Sequence, residues 1–173
     1  MAIPNQVLPG FSASLWMQTG ATPTEFSTTN LATWTGQVET IVGTTANGTG
    51  TAGMQVPVEA IPAFGQDDAS ANFMVAGARQ SDVIPTQSKP TSMTITAAWN
   101  PSNTALLQIQ ADAYSGITER TYVVAAVSGS NTIAYAFNAR VGQFHIDAQP
   151  GAEAKCVFTI HPRGNQYGWS HNT

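Results

Sequence analysis

The sequence predicts a mainly β protein, an antiparallel β-sandwich or barrel-like core with one flanking α-helix over about residues 101–115. Three observations carry this. Apolar and polar residues alternate with period two over several short segments. Clusters of Gly, Pro, Asn and Ser separate those segments. Helical spacing with capping residues at both ends is recognised at one place, between Asn100 and Gly116.

Taken in order, residues 1–10, with Pro4, Pro9 and Gly10, read as an extended N-terminal arm. Phe11 to Met17 alternates, with Phe11, Ala13, Leu15 and Met17 on one strand face and Ser12, Ser14 and Trp16 on the other. That places Trp16 on the polar, exposed side. A Thr-rich loop follows to Asn30. Trp34 to Val42 reads as a second strand. Gly43 to Gly53 holds four Gly and four Thr without a charge, the composition of a flexible loop. Met54 to Ile61 is the returning strand, and Pro57 confines it to an edge or a bulge. Ala71 to Ala76 is a further strand. Gly77 to Pro90 reads as a long loop, a type that is usually functional or ordered by a partner.

From Thr91 the pattern is sharper. Met93, Ile95, Ala97 and Trp99 alternate with Ser92, Thr94, Thr96 and Ala98, which gives one apolar face and one hydroxyl-rich face. Asn100 is placed as the helix N-cap and Pro101 as its first residue, where a missing N–H costs nothing. Leu106, Ile109 and Ala113 form the apolar stripe, and Gly116 supplies the left-handed terminating position. Gln108, Asp112 and Ser115 form the polar face. Strands then run over 118–127, 132–140 and 143–147, with a turn at Ser128–Asn131 and a bulge at Gly142. Lys155 to His161 closes the strand series, with Cys156, Phe158 and Ile160 facing the core, and 162–173 is a polar C-terminal tail.

The chain of 173 residues suits a single domain, and 42% hydrophobic content supports a packed core. Charged residues are 9%, against roughly 25% in ordinary soluble domains. The surface is therefore built from Ser, Thr, Asn, Gln and Gly, which opposes self-association weakly because little charge has to be desolvated. A net charge of −4 with six Lys plus Arg lacks the basic footprint of a nucleic-acid reader. Cys156 is the single cysteine and is expected to be a buried hydrophobe. Met1 to Asn5 shows neither the basic nor the apolar part of a secretory leader, and no apolar run approaches the roughly 18 residues of a membrane span.

Few residues offer chemistry. His145 and Asp147 share a strand face, but two ligands do not make a metal site. Asp67-Asp68 is the one acidic doublet, and calcium needs more oxygens. No nucleophile elbow or phosphate-binding lysine loop is present. The expectation is a protein that is not an enzyme and that uses no cofactor or metal.

The block from Lys89 to Arg163 has a distinctive order. It reads Ser92-Met93-Thr94-Ile95-Thr96-Ala97-Ala98-Trp99-Asn100-Pro101, then Ala105-Leu106-Leu107, Arg120-Thr121-Tyr122, Ala139-Arg140-Val141, and Val157-Phe158-Thr159-Ile160-His161-Pro162. This resembles the tail tube proteins, or major tail proteins, of long-tailed, lambda-like bacteriophages. The resemblance implies hexameric rings stacked into a tube through which DNA passes into the host, a virion location, and assembly in the host cytoplasm. It implies partners such as tape measure, terminator and baseplate components. It also implies that termini and loops join subunits and rings. The candidates are Ile3 and Pro4 in the arm, Thr44, Thr45, Asn47 and Thr49 in the glycine-rich loop, Arg79 and Asp82 in the second loop, Gln108 and Asp112 on the helix, and Tyr167 and Trp169 in the tail. Two other readings stand beside it: a carbohydrate-binding β-sandwich module using an exposed Trp16, and a capsid decoration or head–tail joining protein.

Overall fold

A computed structural model describes residues 12–26, 31–43, 52–73, 82–128 and 131–172. Among these, the order is β1 (Ser12–Gln18), α1 (Leu31–Val42), β2 (Gly53–Val56), β3 (Gln66–Phe73), β4 (Asp82–Pro90), β5 (Met93–Ala98), α2 (Thr104–Ser115), β6 (Glu119–Ser128), β7 (Asn131–Asp147) and β8 (Lys155–Asn172). The mainly β expectation holds. Six strands form one sheet in the order β2-β1-β6-β7-β8-β5, and β3 pairs with β4 in a separate two-stranded sheet. Every pairing is antiparallel.

The six-stranded sheet curls but does not close into a barrel. Its edge strands are β2 and β5. Just beyond β2, Val58 bridges Ala97 of β5, and the Glu59 N–H donates to the Thr96 carbonyl at 3.0 Å. The chain that leaves one edge thus meets the other. Pro57 stands where β2 ends, as its missing donor requires.

The two faces of the sheet carry two cores. Inside the curl lie Leu15, Met17, Met93, Ile95, Tyr122, Phe137, Phe158 and Ile160, with Ala105, Leu106 and Ile109 of α2 packed among them. Each of the larger side chains contributes about 1.5–3 kcal/mol by leaving water. On the opposite face, Val38, Ile41 and Val42 of α1 cover Trp16, Val123, Ala125, Ala134 and Ala136.

Helix α1 corrects the strand expected over Trp34–Val42. Val38, Ile41 and Val42 are β-branched and favour strands locally, but they fall at helical spacing and are buried together. Packing on the sheet decides the outcome. The helix ends at Gly43, with φ 80°, whose N–H donates to the Glu39 carbonyl at 2.8 Å. Ala52 N–H then satisfies the Thr40 carbonyl at 3.1 Å. A Cβ on Gly53 would collide with the Ile41 carbonyl oxygen, so only glycine lets β2 pass this close to α1.

Trp16 is likewise corrected: it is only 6% exposed, beneath α1, and its indole N–H donates to Ser14 Oγ at 3.0 Å. The N-cap of α2 is Asn103, whose side chain accepts from Leu106 N–H at 3.1 Å. Asn100 instead accepts from Ser102 N–H at 2.9 Å, holding the turn before the helix. Gly116 ends α2 in the left-handed conformation as expected, with φ 67°. Residues 82–90, expected in a loop, form β4, and Thr91 N–H closes the base of that hairpin on the Gly65 carbonyl at 3.0 Å. The C-terminal segment from Pro162 to Asn172, expected as a tail, continues β8 along β7. The bulge at Gly142 is present: register shifts between Gly142 and His145, and Gln143 takes φ 53°.

Candidate functional site

The surface of α2 is the first feature that points outward. The helix is fixed from below by a charge pair. Asp112, 4% exposed, receives Arg120 Nε at 2.5 Å and Nη2 at 3.1 Å. Gln108 Nε2 donates to the same carboxylate at 3.1 Å, and Arg120 Nη1 donates to the Thr19 carbonyl at 2.7 Å. This network ties α2 to β6 and to the chain after β1. Asp112 is therefore turned inward, which corrects the solvent-facing position expected from its helical register. Tyr122 lies beside the pair with its hydroxyl buried and without a hydrogen-bond partner. Burial pushes its ionisation well above the ordinary range, Asp112 pushes it further, and Arg120 opposes them.

With its one charged side chain spent inside, α2 shows solvent an uncharged stripe. Thr104, Leu107, Ala111 and Tyr114 are exposed at helical spacing, and Ile117 follows the cap. Leu107 is 41% exposed, Tyr114 74% and Ile117 76%. Large apolar groups grouped this way mark contact surfaces. The period that revealed the buried stripe also contains this one: Leu107 and Tyr114 are seven residues apart.

The second outward feature is the part of the sheet's outer face that α1 leaves bare. Here Ser92, Thr94 and His161 are exposed and Thr159 is buried among them; Ser92 and Thr94 belong to the hydroxyl-rich face expected from the sequence. The Thr94 and Thr159 hydroxyls meet at 3.3 Å, Thr159 Oγ1 donates to Gln143 Oε1 at 3.3 Å, and Ser92 Oγ meets His161 Nδ1 at 2.9 Å. No carboxylate among the described residues orients the other nitrogen of His161, so the Ser92–His161 pair lacks the third member of a nucleophilic triad. No group of three or more metal-ligating side chains occurs among the described residues. None of the described helices is long and apolar enough to cross a membrane. Cys156 is buried in the inner core, and burial raises its thiol above the ordinary value.

The sequence-expected contact residues fall in different places. Ile3, Pro4, Thr44, Thr45, Asn47, Thr49 and Arg79 lie outside the described residues. Asp82 opens β4 opposite Phe73. Tyr167 and Trp169 lie on β8, in register with Ala136 and Ala134 of β7. Gln108 is half-buried and serves the Asp112 network. The structure brings Gln108 and Asp112 together.

No protein-family model matches the sequence, and no curated protein matches it. Solved structures do resemble the fold. A chain of the anti-feeding prophage baseplate, a six-fold symmetrised assembly, matches with TM-score 0.61 at 8% identity, over 98% of this chain and 97% of that one. The sheath/tube terminator of an extracellular contractile injection system matches with TM-score 0.52 at 13% identity, over 68% of this chain and 86% of that one. The SPP1 tail tube matches with TM-score 0.51 at 9% identity, over 93% of this chain and 77% of that one. This chain is similar in fold to structural components of phage tails and related injection systems.

Proposed function

We propose that the chain is a structural tail subunit that assembles as stacked hexameric rings into a tail tube, a conduit for DNA delivered to the host. The observation that carries the reading is the fold match to a six-fold symmetrised baseplate, which spans nearly the whole of both chains. The charge-poor composition and the exposed Leu107–Tyr114–Ile117 stripe support it, since a subunit made for burial needs uncharged apolar surface. On this reading the protein is not an enzyme, resides in the virion tail, and contacts tape measure, terminator and baseplate proteins. The N-terminal arm, the glycine-rich loop and the Tyr167–Trp169 segment are proposed to join subunits and rings.

A second reading places the subunit at an end of such a tube, because two of the similar structures are a baseplate and a sheath/tube terminator. Electron microscopy of the purified protein at rising concentration tests both. Long tubes support the first reading, isolated rings the second, and a persistent monomer sinks both. Tyr114→Ser with Ile117→Ser, both at exposed positions, is expected to leave the fold intact and to weaken assembly by roughly 2–4 kcal/mol per contact.

A further inference from the structure

The stretch of outer face beyond α1 carries opposite charges at its two ends, one midway along the β7–β8 ladder and the other where the ladder closes at Asp147 and Lys155. At one end Glu119 is shared by Arg140, at 3.7 Å, and Arg163, at 3.2 Å. Two guanidiniums against one carboxylate leave a formal +1, and Arg140 Nε has no hydrogen-bond partner. At the other end Lys155 pairs with Glu59 at 2.7 Å, faces Asp147 across the ladder, and feels Glu153 from the adjoining turn. Three carboxylates against one ammonium leave a formal −2. Between the ends, the described residues of β5, β7 and β8 include no Asp, Glu, Lys or Arg. Lys89, at the end of β4, is in register with Asp67 of β3.

The two ends cannot neutralise each other within one chain. Lys155 and Arg163 are eight residues apart on a strand, roughly 26 Å at about 3.3 Å per residue. Charges that far apart are screened from each other, because the Debye length is about 8 Å at physiological salt. Between two copies they can meet at contact distance. A surface with a positive end and a negative end is complementary to a second copy of itself, either turned end for end about a two-fold axis or head to tail; the head-to-tail contact is the one that repeats into rings or stacks.

We infer that the Arg140/Arg163 end of one subunit docks on the Asp147/Glu153 end of the next copy. This rests on the reading above that the chain assembles with itself. The basic end alone is too small for the phosphate neutralisation that holds nucleic acid, and the acidic end has no counterpart on DNA.

Two double variants test the pairing, R140E/R163E and D147K/E153K, with folding checked by circular dichroism and association followed by sedimentation velocity. Each alone is expected to lower association by about tenfold or more, because each sets like charges face to face. An equimolar mixture of the two is expected to associate again, since the doubly acidic copy now complements the doubly basic one. Should Arg140→Glu weaken the fold beside Glu119, R163E alone carries the same test at an exposed position. Wild-type association that both variants retain would overturn the pairing and leave the assembly reading standing. Absence of wild-type association at any concentration would overturn both. Duplex DNA binding lost in R140E/R163E, with association unchanged, would replace the second copy by nucleic acid as the occupant.

Discussion

Asp112 and Arg120 are eight residues apart in the chain and joined by two hydrogen bonds beneath α2, both nearly closed to solvent. Breaking a buried pair is costlier than never having it, because the surviving charge stays in a low-dielectric site. Asp112→Asn is expected to destabilise the fold by about 3–5 kcal/mol. Replacing both residues with apolar ones of similar size, Asp112→Leu with Arg120→Met, is expected to recover most of that loss. Urea denaturation of the three variants measures it; equal stability of wild type and Asp112→Asn would remove the pair as the anchor of α2.

Tyr122 predicts a response to alkaline pH. Its ordinary value is 10.0, and the folded value lies well above it. Above pH 10 the unfolded chain releases this proton while the folded chain keeps it, so stability falls as pH rises. Below pH 10 this dependence is absent. Tyr122→Phe removes that slope and also removes a buried hydroxyl with no partner. Unfolding by urea at neutral pH is expected to show a gain of about 1 kcal/mol, in line with the cost of an unpaired buried group. A loss of stability in Tyr122→Phe would mean that the hydroxyl is bonded in solution.

Gly53 stands where β2 passes α1. Gly53→Ala places a methyl group against the Ile41 carbonyl, and backbone rather than a flexible side chain would have to move. The expected loss is about 1–3 kcal/mol, read as a lower melting temperature. Gly36, on the exposed side of α1 with open space around its Cβ position, is the control. There Ala is expected to stabilise by about 0.5–1 kcal/mol through helix propensity.

Trp16 separates the structural subunit from a sugar-binding module. Trp16→Ala is expected to cost about 3–5 kcal/mol because it empties the layer between β1 and α1. A variant that keeps its melting temperature but loses glycan binding would contradict the burial.

The sequence by itself determined the elements whose signals are local. The alternation of Met93, Ile95 and Ala97 against Ser92, Thr94 and Thr96 places β5 and both of its faces, since side chains on a strand point alternately. The apolar spacing of Leu106 and Ile109 with Gly116 behind them places α2, and Gly142 marks the bulge. The tertiary structure decided what depends on a neighbour. Val38, Ile41 and Val42 become a helix because the outer face of β1, β6 and β7 receives them, and that packing is what buries Trp16. Asp112 turns inward because Arg120 waits on β6, eight residues on, and no helical periodicity contains that partner. Residues 82–90 and 162–172 become strands because ladders with β3 and β7 satisfy their backbone groups. The same long ladder sets Arg163 and Lys155 eight residues apart on one face, an arrangement that six cations and ten acids scattered along the sequence do not reveal.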